Sequence, residues 1–319
     1  MRKDDGLTMR AAVVGAGAIG SGLDRGIDAY PLTHAGGYLA AGCELLALVD
    51  PADTVEGEAA KWGARAFRDF HTMMQACRPE LLSFAVPASI RADLMMQALA
   101  YDCVRVVIAE KPLAASHEEA AALVAAYRKK GIPLIVNYSR RFVPVWQNLK
   151  DAHAISATIK YAKGIAHNGT HAIDLCRMMF GECLEAHALS GKLDHWPDDP
   201  TVTAHLRFER CPDVLFQGLD ERCFTLFEVD VVGAAYRVIV DQDGRRVRHF
   251  TLRSDVGIPP GRRLVQESEA DSLGGLAMKN LIQHAIEVAS GKTVLCSGDD
   301  AIAALEIAMR LSEQYRALQ

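Results

Sequence analysis

The sequence predicts a doubly wound α/β domain at the N-terminus, followed by an α+β domain with a large, open and mainly antiparallel sheet. Short apolar runs alternate with helical patterns from residue 9 to about 137, which is typical of βαβ units and a parallel sheet. After residue 137 the pattern changes to longer runs of alternating polar and apolar residues, and two amphipathic helices follow. The chain has 319 residues, half of them apolar, which is enough for two hydrophobic cores. We expect one domain at residues 1–139 and a second at 140–319, whose C-terminal helices are able to pack back on the first.

The elements of the first domain follow from apolar runs and helical periodicity. Apolar residues recur every three to four positions from Ile90 to Leu99 and from Ala120 to Tyr127, which predicts amphipathic helices on the faces of the sheet. Thr33 is the expected N-cap of a further helix. Parallel strands are predicted at 10–14, 44–49, 81–86, 104–109 and 132–136.

The second domain is predicted to contain a meander of strands. The segment Asp241–Gly244 is a hairpin turn signal, and helices are expected at 272–290 and from Ser297 onward. Strands are predicted at 156–161, 185–192, 202–208, 213–219, 224–231, 235–241 and 246–253. Because an open sheet needs its second face or its edge covered, we expect a homodimer or homotetramer formed through this sheet.

A glycine pattern follows the first strand and fits a dinucleotide-binding turn of the Rossmann type. Three glycines stand in the spacing G-x-G-x-x-G directly after an apolar run. Gly15 allows the tight turn, Gly17 lets the backbone approach a pyrophosphate, and Gly20 lets the following helix pack close to the sheet. Free amides at the start of that helix, around Ala18 and Ile19, are expected to bind the phosphates.

An acidic residue ends the second predicted strand, where such folds bind a ribose. Asp50 follows the apolar run Glu44–Val49 and is expected to accept hydrogen bonds from the two ribose hydroxyls. It lies further from the glycines than usual, which an insertion at Leu23–Pro31 explains. A carboxylate repels a 2′-phosphate and no arginine follows it directly, so NAD is favoured over NADP.

A lysine stands at the end of another buried strand. The run Val104–Ala109 is apolar, and Glu110, Lys111 and Pro112 follow it. In an open parallel sheet the carboxyl ends of the strands form the ligand-binding edge. Together with the glycine pattern, this position makes Lys111 a candidate for chemistry rather than a solvated strand-end lysine.

A second cluster of polar residues lies between the first two strands of the second domain. His171 and Asp174 are three residues apart on one predicted helical face, and His167 and Asn168 lie on the turn before it. A structural interpretation, in which these residues cap the helix, is the alternative to a substrate site. His167 and His171 also have the spacing of two zinc ligands on one helix turn, but no third ligand is evident, so no metal is expected.

Composition excludes several classes of function. The formal net charge of −5 argues against a nucleic-acid partner. The eight cysteines form no CxxC pair, which favours reduced thiols and a cytoplasmic location. The first residues lack the apolar core of a signal peptide, and no stretch reaches the roughly 18 uninterrupted apolar residues of a membrane span. We expect a cytoplasmic protein with a small-molecule partner and no membrane partner, and Trp62, Trp146 and Trp196 are interpreted as structural.

Five motifs occur in order along the chain: Gly15–Gly20, Ala85–Pro87, Glu110–Pro112, Asn137–Phe142 and Gly169–Asp174. In these motifs, and almost end to end, the chain resembles the family of glucose-fructose oxidoreductase, inositol dehydrogenase and rhizopine catabolism proteins, usually called Gfo/Idh/MocA. The resemblance implies an NAD(P)-dependent oxidoreductase. Such an enzyme transfers a hydride between the nicotinamide and a secondary alcohol or ketone of a sugar, an inositol or a nucleotide sugar.

The resemblance also implies roles for individual residues. Lys111 would touch both nicotinamide and substrate, and His171 would transfer the proton with Asp174 beside it. Cofactor contacts are implied for Gly15, Gly17, Ala18, Ile19, Gly20, Asp50, Ala85, Val86, Pro87, Glu110, Lys111 and Asn137. Substrate contacts are expected at Lys111, Arg140, Lys163, Asn168 and His171.

Two positions depart from the pattern of the family. His167 stands where many relatives have aspartate, so the proton-transfer role stays open between His167 and His171. Arg91 stands where relatives often have histidine.

The short segment between Lys150 and His167 favours a larger or partly exposed substrate, such as a nucleotide sugar. A non-catalytic dinucleotide-binding sensor or assembly protein is the alternative of a different class, and a dihydrodiol, an imine or a redox cycle with retained NAD is an alternative within the fold.

Overall fold

The computed structural model describes residues 8–26, 30–257 and 259–319, and the chain divides into two compact units. The first unit comprises Met1–Phe142 and Gly275–Ile302, and the second comprises Val143–Gly274 and Ala303–Gln319. The expectation about a signal peptide rests on residues 1–6, which lie outside the described residues, as do 27–29 of the predicted insertion. The division into domains at 1–139 and 140–319 stays a prediction.

The described chain forms fourteen named strands and nine named α-helices. The strands are β1 (Arg10–Val14), β2 (Glu44–Val49), β3 (Arg65–Phe67), β4 (Leu81–Phe84), β5 (Val106–Ala109), β6 (Leu134–Val136), β7 (Ser156–Tyr161), β8 (Cys183–Lys192), β9 (Thr201–Phe208), β10 (Cys211–Gly218), β11 (Phe227–Val232), β12 (Tyr236–Asp241), β13 (Arg246–Val256) and β14 (Gly261–Asp271). The helices are α1 (His34–Ala40), α2 (Val55–Trp62), α3 (Phe70–Cys77), α4 (Ala88–Ala98), α5 (His117–Lys130), α6 (Pro144–Gln147), α7 (Thr170–Phe180), α8 (Ala277–Ala289) and α9 (Gly298–Ala317).

The first unit is built on a six-stranded parallel sheet. Its strand order is β3-β2-β1-β4-β5-β6, and all five neighbouring pairs are parallel. The order reverses between β1 and β4, and in such sheets a ligand binds outside the carboxyl ends of the strands at that point. The predicted doubly wound sheet is confirmed. The sequence missed β3, because its three residues are not an apolar run and its first residue is exposed.

Helix α1 covers part of this sheet and packs against α8. Thr33 caps α1, since its side chain accepts a hydrogen bond from the amide of Gly36, as predicted. Gly37 lies so close to α8 that a Cβ atom there would lie 2.8 Å from a side-chain atom of Met278. The absence of a side chain at Gly37 therefore lets the two helices approach closely.

The second unit contains an eight-stranded sheet in the order β14-β13-β12-β11-β7-β10-β9-β8. Only the β7–β10 pair is parallel among these strands, so the predicted open and mainly antiparallel sheet is confirmed. The sequence missed β14, since its burial pattern shows an exposed, strongly charged strand without apolar alternation.

The two faces of this sheet differ in polarity. One face buries aromatic rings such as Tyr161, Phe208 and Phe216, together with Phe180 of α7. The other face, which we call the open face, carries the cross-strand row Thr158, Asp230, Ile239 and Arg248. Ion pairs line it, including Arg237 with Asp230, Lys160 with Glu228 and Arg248 with Asp241.

All eight cysteines are free thiols. Burial raises the pKa of Cys43 to about 12 and that of Cys211 to about 11. None of the described helices combines the length and the apolar composition that a membrane-spanning helix requires.

Candidate functional site

The glycine turn after β1 depends on its glycines for two different reasons. Gly15 has a φ of +99°, and a Cβ atom there would lie 2.7 Å from the carbonyl oxygen of Ala85. A Cβ atom on Gly20 would lie 1.9 Å from the carbonyl oxygen of Gly15. A Cβ atom on Gly17, in contrast, would meet no atom of the described residues within 4 Å. The outer two glycines are needed by the turn itself, while the middle one leaves open space above it, where a ligand can approach.

The turn continues into a single π-helical turn, Ala18–Gly22, and not into a long helix. The amides of Ser21 and Gly22 both donate to the carbonyl oxygen of Gly17, over 3.0 and 3.1 Å. The next α-helix is α1, which starts at His34 directly after its expected N-cap Thr33. The buried carboxylate of Asp24 accepts hydrogen bonds from the amides of Leu32 and Thr33, which joins the end of this turn to the start of α1.

Three amides of this turn are available to a ligand. The amides of Gly17, Ala18 and Ile19 have no hydrogen-bond acceptor within the described part of the chain. Three neighbouring amides without internal partners, below open space, fit the phosphates of a dinucleotide.

Asp50 follows β2 and is held against the same turn. Its Oδ2 accepts a hydrogen bond from the amide of Ala16 over 2.9 Å, and its Oδ1 accepts one from Ala52 over 3.0 Å. A carboxylate has about four lone-pair sites, so these two bonds orient the group and leave capacity for ribose hydroxyls. The structure thus brings the predicted ribose-binding acid and the glycine turn together.

Lys111 lies in a segment whose backbone is held by hydrogen bonds from a buried arginine of α4. Arg91 is 3% exposed, and its guanidinium donates to the carbonyl oxygens of Val86, Glu110 and Pro112. Burial lowers the pKa of Arg91 to about 10, which leaves the group charged at neutral pH. One side chain therefore fixes the backbone on both sides of Lys111 and ties it to the Ala85–Pro87 motif.

Glu110 forms the centre of a buried polar network. Its Oε1 accepts a hydrogen bond from Nδ2 of Asn137 over 2.6 Å and lies 3.0 Å from Nε2 of His34. Burial acts to raise the pKa of Glu110, but His34, the Asn137 hydrogen bond and the Arg91 charge outweigh it and lower the pKa below its ordinary value. Within the described residues, Oδ1 of Asn137 and Nδ1 of His34 are buried and have no hydrogen-bond partner. An unpartnered buried oxygen on Asn137 is one further feature that suits a polar ligand.

The second predicted cluster lies in the second unit and folds as a π-helical turn followed by a helix. Gly164–Gly169 is a π-helical turn, and α7 starts at Thr170. His171 and Asp174 therefore lie on α7, three residues apart, and Asp174 is 1% exposed. Asn168 uses its side-chain amide to donate to the carbonyl oxygen of Ala162 over 2.9 Å, which holds the turn.

The residues predicted to bind substrate belong to different units. Lys111 and Arg140 lie in the first unit, Arg140 on the short turn Ser139–Phe142. Lys163, Asn168 and His171 lie in the second. Their substrate roles stay predictions.

His167 has a carboxylate partner that the sequence did not reveal. Its Nδ1 lies 2.7 Å from Oδ2 of Asp199, whose side chain is 6% exposed. The ring of Trp196 stacks on the imidazole, with 4.5 Å between centroids and 16° between the planes. Neither Asp199 nor Trp196 follows a recognisable motif, because both lie on the connection before β9, more than 25 residues from His167.

A cavity of about 230 Å³ opens beside His167 within the second unit. Asp199, Met309, Glu313 and Arg316 are among the residues that line it. Across the described parts of the chain, no group of three or more histidine, cysteine and acidic side chains is placed to hold a metal ion.

Comparisons with known proteins agree with this picture at the levels of domain and fold. Residues 9–138 match the family model described as oxidoreductase family, NAD-binding Rossmann fold, GFO_IDH_MocA. No curated protein matches the chain by sequence. This family domain contains the glycine turn, Asp50, Lys111 and Asn137.

Solved structures of low sequence identity share the fold over almost the whole chain. UDP-N-acetylglucosamine 3-dehydrogenase from Acidithiobacillus ferrooxidans is 20% identical, with 98% of this chain and 100% of that chain covered and a TM-score of 0.79. Levoglucosan dehydrogenase in complex with NADH is 16% identical, with 97% of each chain covered and a TM-score of 0.76. A putative myo-inositol dehydrogenase from Sinorhizobium meliloti 1021 is 18% identical, with 98% of each chain covered and a TM-score of 0.71.

The family match and the geometry of the first unit lead to the same assignment. The glycine turn, the oriented Asp50 and the strand order of the sheet are the parts of a dinucleotide-binding domain, and the matched family model is defined by NAD binding. The predicted NAD-binding Rossmann domain is therefore confirmed, and the resemblance to Gfo/Idh/MocA oxidoreductases is confirmed for residues 9–138, which form the NAD-binding domain of that family.

Proposed function

We propose that the chain is an NAD-dependent dehydrogenase that acts on a secondary alcohol, or the matching ketone, of a sugar-like substrate. The observation that carries this proposal is the fixed Glu110–Pro112 segment at the carboxyl edge of the sheet that binds NAD. Arg91 and the Glu110 network immobilise the backbone around Lys111. A protein that only binds the dinucleotide has no need for a lysine in such a position, which argues against the sensor alternative.

The chain's own groups fit the cofactor. The amides of Gly17, Ala18 and Ile19 would bind the pyrophosphate, and Asp50 would accept from the ribose hydroxyls. The segment Ala85–Pro87 and the side chain of Asn137 would contact the nicotinamide half. When bound, NAD supplies the acceptor for a hydride from the substrate carbon.

Lys111 would bind the alcohol oxygen of the substrate. As the hydroxyl loses its proton, negative charge develops on that oxygen, and an ammonium group positioned beside it stabilises the charge. The clamp by Arg91 and Glu110 limits the movement of the segment, so the lysine need not reorganise during the reaction.

The proton of the hydroxyl requires a base, and the histidine-rich segment of the second unit supplies one. His167 and His171 are the candidates, with Asp174 beside His171 on α7. Imidazole exchanges protons near neutral pH, so the same residue would serve as base in oxidation and as acid in reduction.

The substrate class is supported by the proteins that share the fold. They include enzymes named for UDP-N-acetylglucosamine, for levoglucosan and for myo-inositol, all of which are polyhydroxylated. We propose a polyhydroxylated ring as the substrate and include nucleotide sugars among the candidates.

Cofactor binding is the first test. NADH and NADPH are titrated into the unaltered protein and into Asp50→Ala, and binding is followed by fluorescence. We expect NADH to bind more tightly than NADPH, and Asp50→Ala to weaken NADH binding by at least about tenfold, since two charge-assisted hydrogen bonds are lost. Asp53→Ala is the matched control, because Asp53 is an exposed aspartate three residues further on. Failure of both cofactors to bind would refute the proposed function.

A substrate screen is the second test. Myo-inositol, levoglucosan and UDP-N-acetylglucosamine are offered with NAD, and NADH formation is followed. Lys111→Ala should lower kcat by about 10²–10³ while NADH still binds, because the stabilising charge acts on the reaction. Full activity in Lys111→Ala would remove the lysine from the mechanism.

A further inference from the structure

The turn that carries His167 is built around one buried carboxylate. Oδ1 of Asp199 accepts a hydrogen bond from the amide of Ala166 over 2.9 Å, and Oδ2 accepts one from the amide of His167 over 2.9 Å. Oδ2 also lies 2.7 Å from Nδ1 of the His167 ring. Three donors of two consecutive residues thus converge on a side chain that is 6% exposed.

The backbone before His167 is shaped to admit this carboxylate. A Cβ atom on Gly164 would lie 2.0 Å from Oδ2 of Asp199, so a side chain at residue 164 has no room. Lys163 and Gly164 have φ values of +74° and +78°. A left-handed backbone is unfavourable for lysine, and the surrounding contacts must over-determine it. The three hydrogen bonds to Asp199 are such contacts.

The contact with Asp199 also decides which ring nitrogen carries the proton. An ionised carboxylate only accepts hydrogen bonds, so Nδ1 of His167 must be the donor. In the neutral ring Nε2 then holds the lone pair, and Nε2 can take up a proton. Stacking on Trp196 fixes the plane of the ring, and the His167 side chain is 45% exposed, so a ligand can reach its edge.

We propose that Asp199 is a positioning residue that makes His167 the proton-transfer group of this enzyme. The proposal rests on the proposed function. In the oxidation, the O–H bond of the substrate alcohol breaks and its proton passes to Nε2 of His167. The electron pair of that bond would form the C=O bond as the carbon gives up its hydride, for which bound NAD would be the acceptor. The imidazolium then carries both ring protons, is stabilised by Asp199, and releases the Nε2 proton to water.

The ring tautomer is measured first, and this measurement needs no substrate. Protein labelled with ¹⁵N-histidine is recorded by NMR, and the His167 signals are assigned by their loss in His167→Gln. We expect the neutral ring to be protonated on Nδ1 in the unaltered chain. In Asp199→Asn we expect that preference to be lost or reversed, because an amide group can donate to Nδ1. A ring protonated on Nε2 in the unaltered chain, or no change in Asp199→Asn, would overturn the proposal.

Asp198→Asn is the matched control for Asp199→Asn. Asp198 is the preceding residue, lies on the same cavity, and is exposed. Its carbonyl oxygen, which the substitution keeps, accepts a hydrogen bond from Arg316 over 2.8 Å. The His167 signals should be the same in Asp198→Asn as in the unaltered chain. Since both variants replace one aspartate with asparagine, a difference between them reports the contact with the ring and not the loss of a charge in general.

Kinetics with the compound that the screen identifies completes the test. Asp199→Asn should lower kcat about ten- to hundredfold and leave KM within about threefold, since the ring is misdirected while the pocket persists. His167→Gln should lower kcat by about 10²–10⁴, and His171→Gln by clearly less. A larger loss in His171→Gln than in His167→Gln would overturn the proposal.

Different results would refute the proposed function and the role of Asp199. If the unaltered chain does not bind NADH, the proposed function is refuted, whichever tautomer His167 adopts. An unchanged kcat in Asp199→Asn, in a protein that binds NADH and turns over substrate, refutes the role of Asp199 alone. Fluorescence titration of NADH into each variant separates a binding defect from a proton-transfer defect.

Discussion

Glu110 is a largely buried carboxylate, with its side chain 12% exposed, that stays charged because of its neighbours. Its pKa is lowered although burial acts to raise it, since the hydrogen bond and charge of His34, the Asn137 hydrogen bond and the Arg91 charge together favour the ionised form. The stability that such an acid contributes is present above its unfolded pKa of about 4.3 and is lost as the pH falls through the lower folded pKa.

The lowered pKa of Glu110 predicts how the stability of Glu110→Gln depends on pH. At pH 7 we expect the variant to be less stable by about 2–4 kcal/mol, because a charge-assisted network is broken in the interior. The difference from the unaltered chain should hold down to about pH 4.3 and shrink below it. Thermal unfolding between pH 7 and pH 3 measures it, with Glu44→Gln, at an exposed position, as the control. A difference that grows on acidification would contradict the assignment.

Single residues were predictable from sequence where a local pattern marks them. Gly15–Gly20, Asp50 and Lys111 each follow an apolar strand, so their place at the edge of the sheet could be derived. His34 and Asp199 could not be found in this way, since each is joined to its partner, Glu110 or His167, only by the folded backbone. The departure from the family pattern at Arg91 is visible in the sequence, but its contacts with three carbonyl oxygens are a property of the tertiary structure.

At the level of elements, strands with apolar alternation were predicted well, and irregular ones were not. The bounds of β1, β2 and β7 were predicted correctly, whereas β4, β5 and β6 are each two residues shorter than expected. Strands β3 and β14 lack the apolar pattern, because one is very short and the other is exposed. The π-helical turn after Gly17 has no sequence signature, since it depends on two amides that share one carbonyl oxygen.

In the glycine turn, different glycines are needed for NADH binding and for stability of the fold. Gly17 has φ −71° and ψ −166°, which alanine can adopt, and there is open space around it. We expect Gly17→Ala to keep its stability within about 1 kcal/mol and to lose NADH affinity by at least about tenfold, because the methyl group occupies the place of the pyrophosphate. Gly20→Ala should be destabilised by about 2–3 kcal/mol, since its methyl group meets the Gly15 carbonyl oxygen.

Thermal unfolding and NADH titration of both glycine variants check this prediction. The two substitutions add the same single methyl group, so each is the control for the other. Equal destabilisation of both variants, or undiminished NADH affinity in Gly17→Ala, would show that the turn is arranged differently.

At the level of the whole molecule, the eight-stranded sheet has an open face and an exposed edge strand, β14. The open face combines ion pairs with the half-buried Ile239 in the middle of its cross-strand row. A surface of this kind that stays uncovered in one chain is suited to a second copy, and the homo-oligomer predicted from the sequence stays a prediction.

Light scattering coupled to size-exclusion chromatography tests the oligomer. We expect a mass of two or four times the 34.7 kDa of one chain. Ile239→Glu should shift it toward the monomer, because an unpaired carboxylate would be buried between the sheets. Leu318→Glu places the same charge at an exposed position near the C-terminus and should leave the mass unchanged. A monomeric chain would refute the prediction, and an intact oligomer in Ile239→Glu would place the interface on another surface.

The short π-helical turn after Gly17 has a consequence for the energetics of NAD binding. A long helix behind a phosphate contributes the summed dipole of its peptides, roughly half a positive charge at its first turn. Here the helical turn ends at Gly22, so this electrostatic contribution is small and individual amides supply the attraction. Salt screens electrostatic interactions that act over a distance through solvent, and it weakens partly buried contacts at hydrogen-bond distance much less. Affinity for NAD in this chain should therefore depend less on ionic strength than it would with a long helix at this place, and the positions of the individual amides contribute more to recognition of the pyrophosphate.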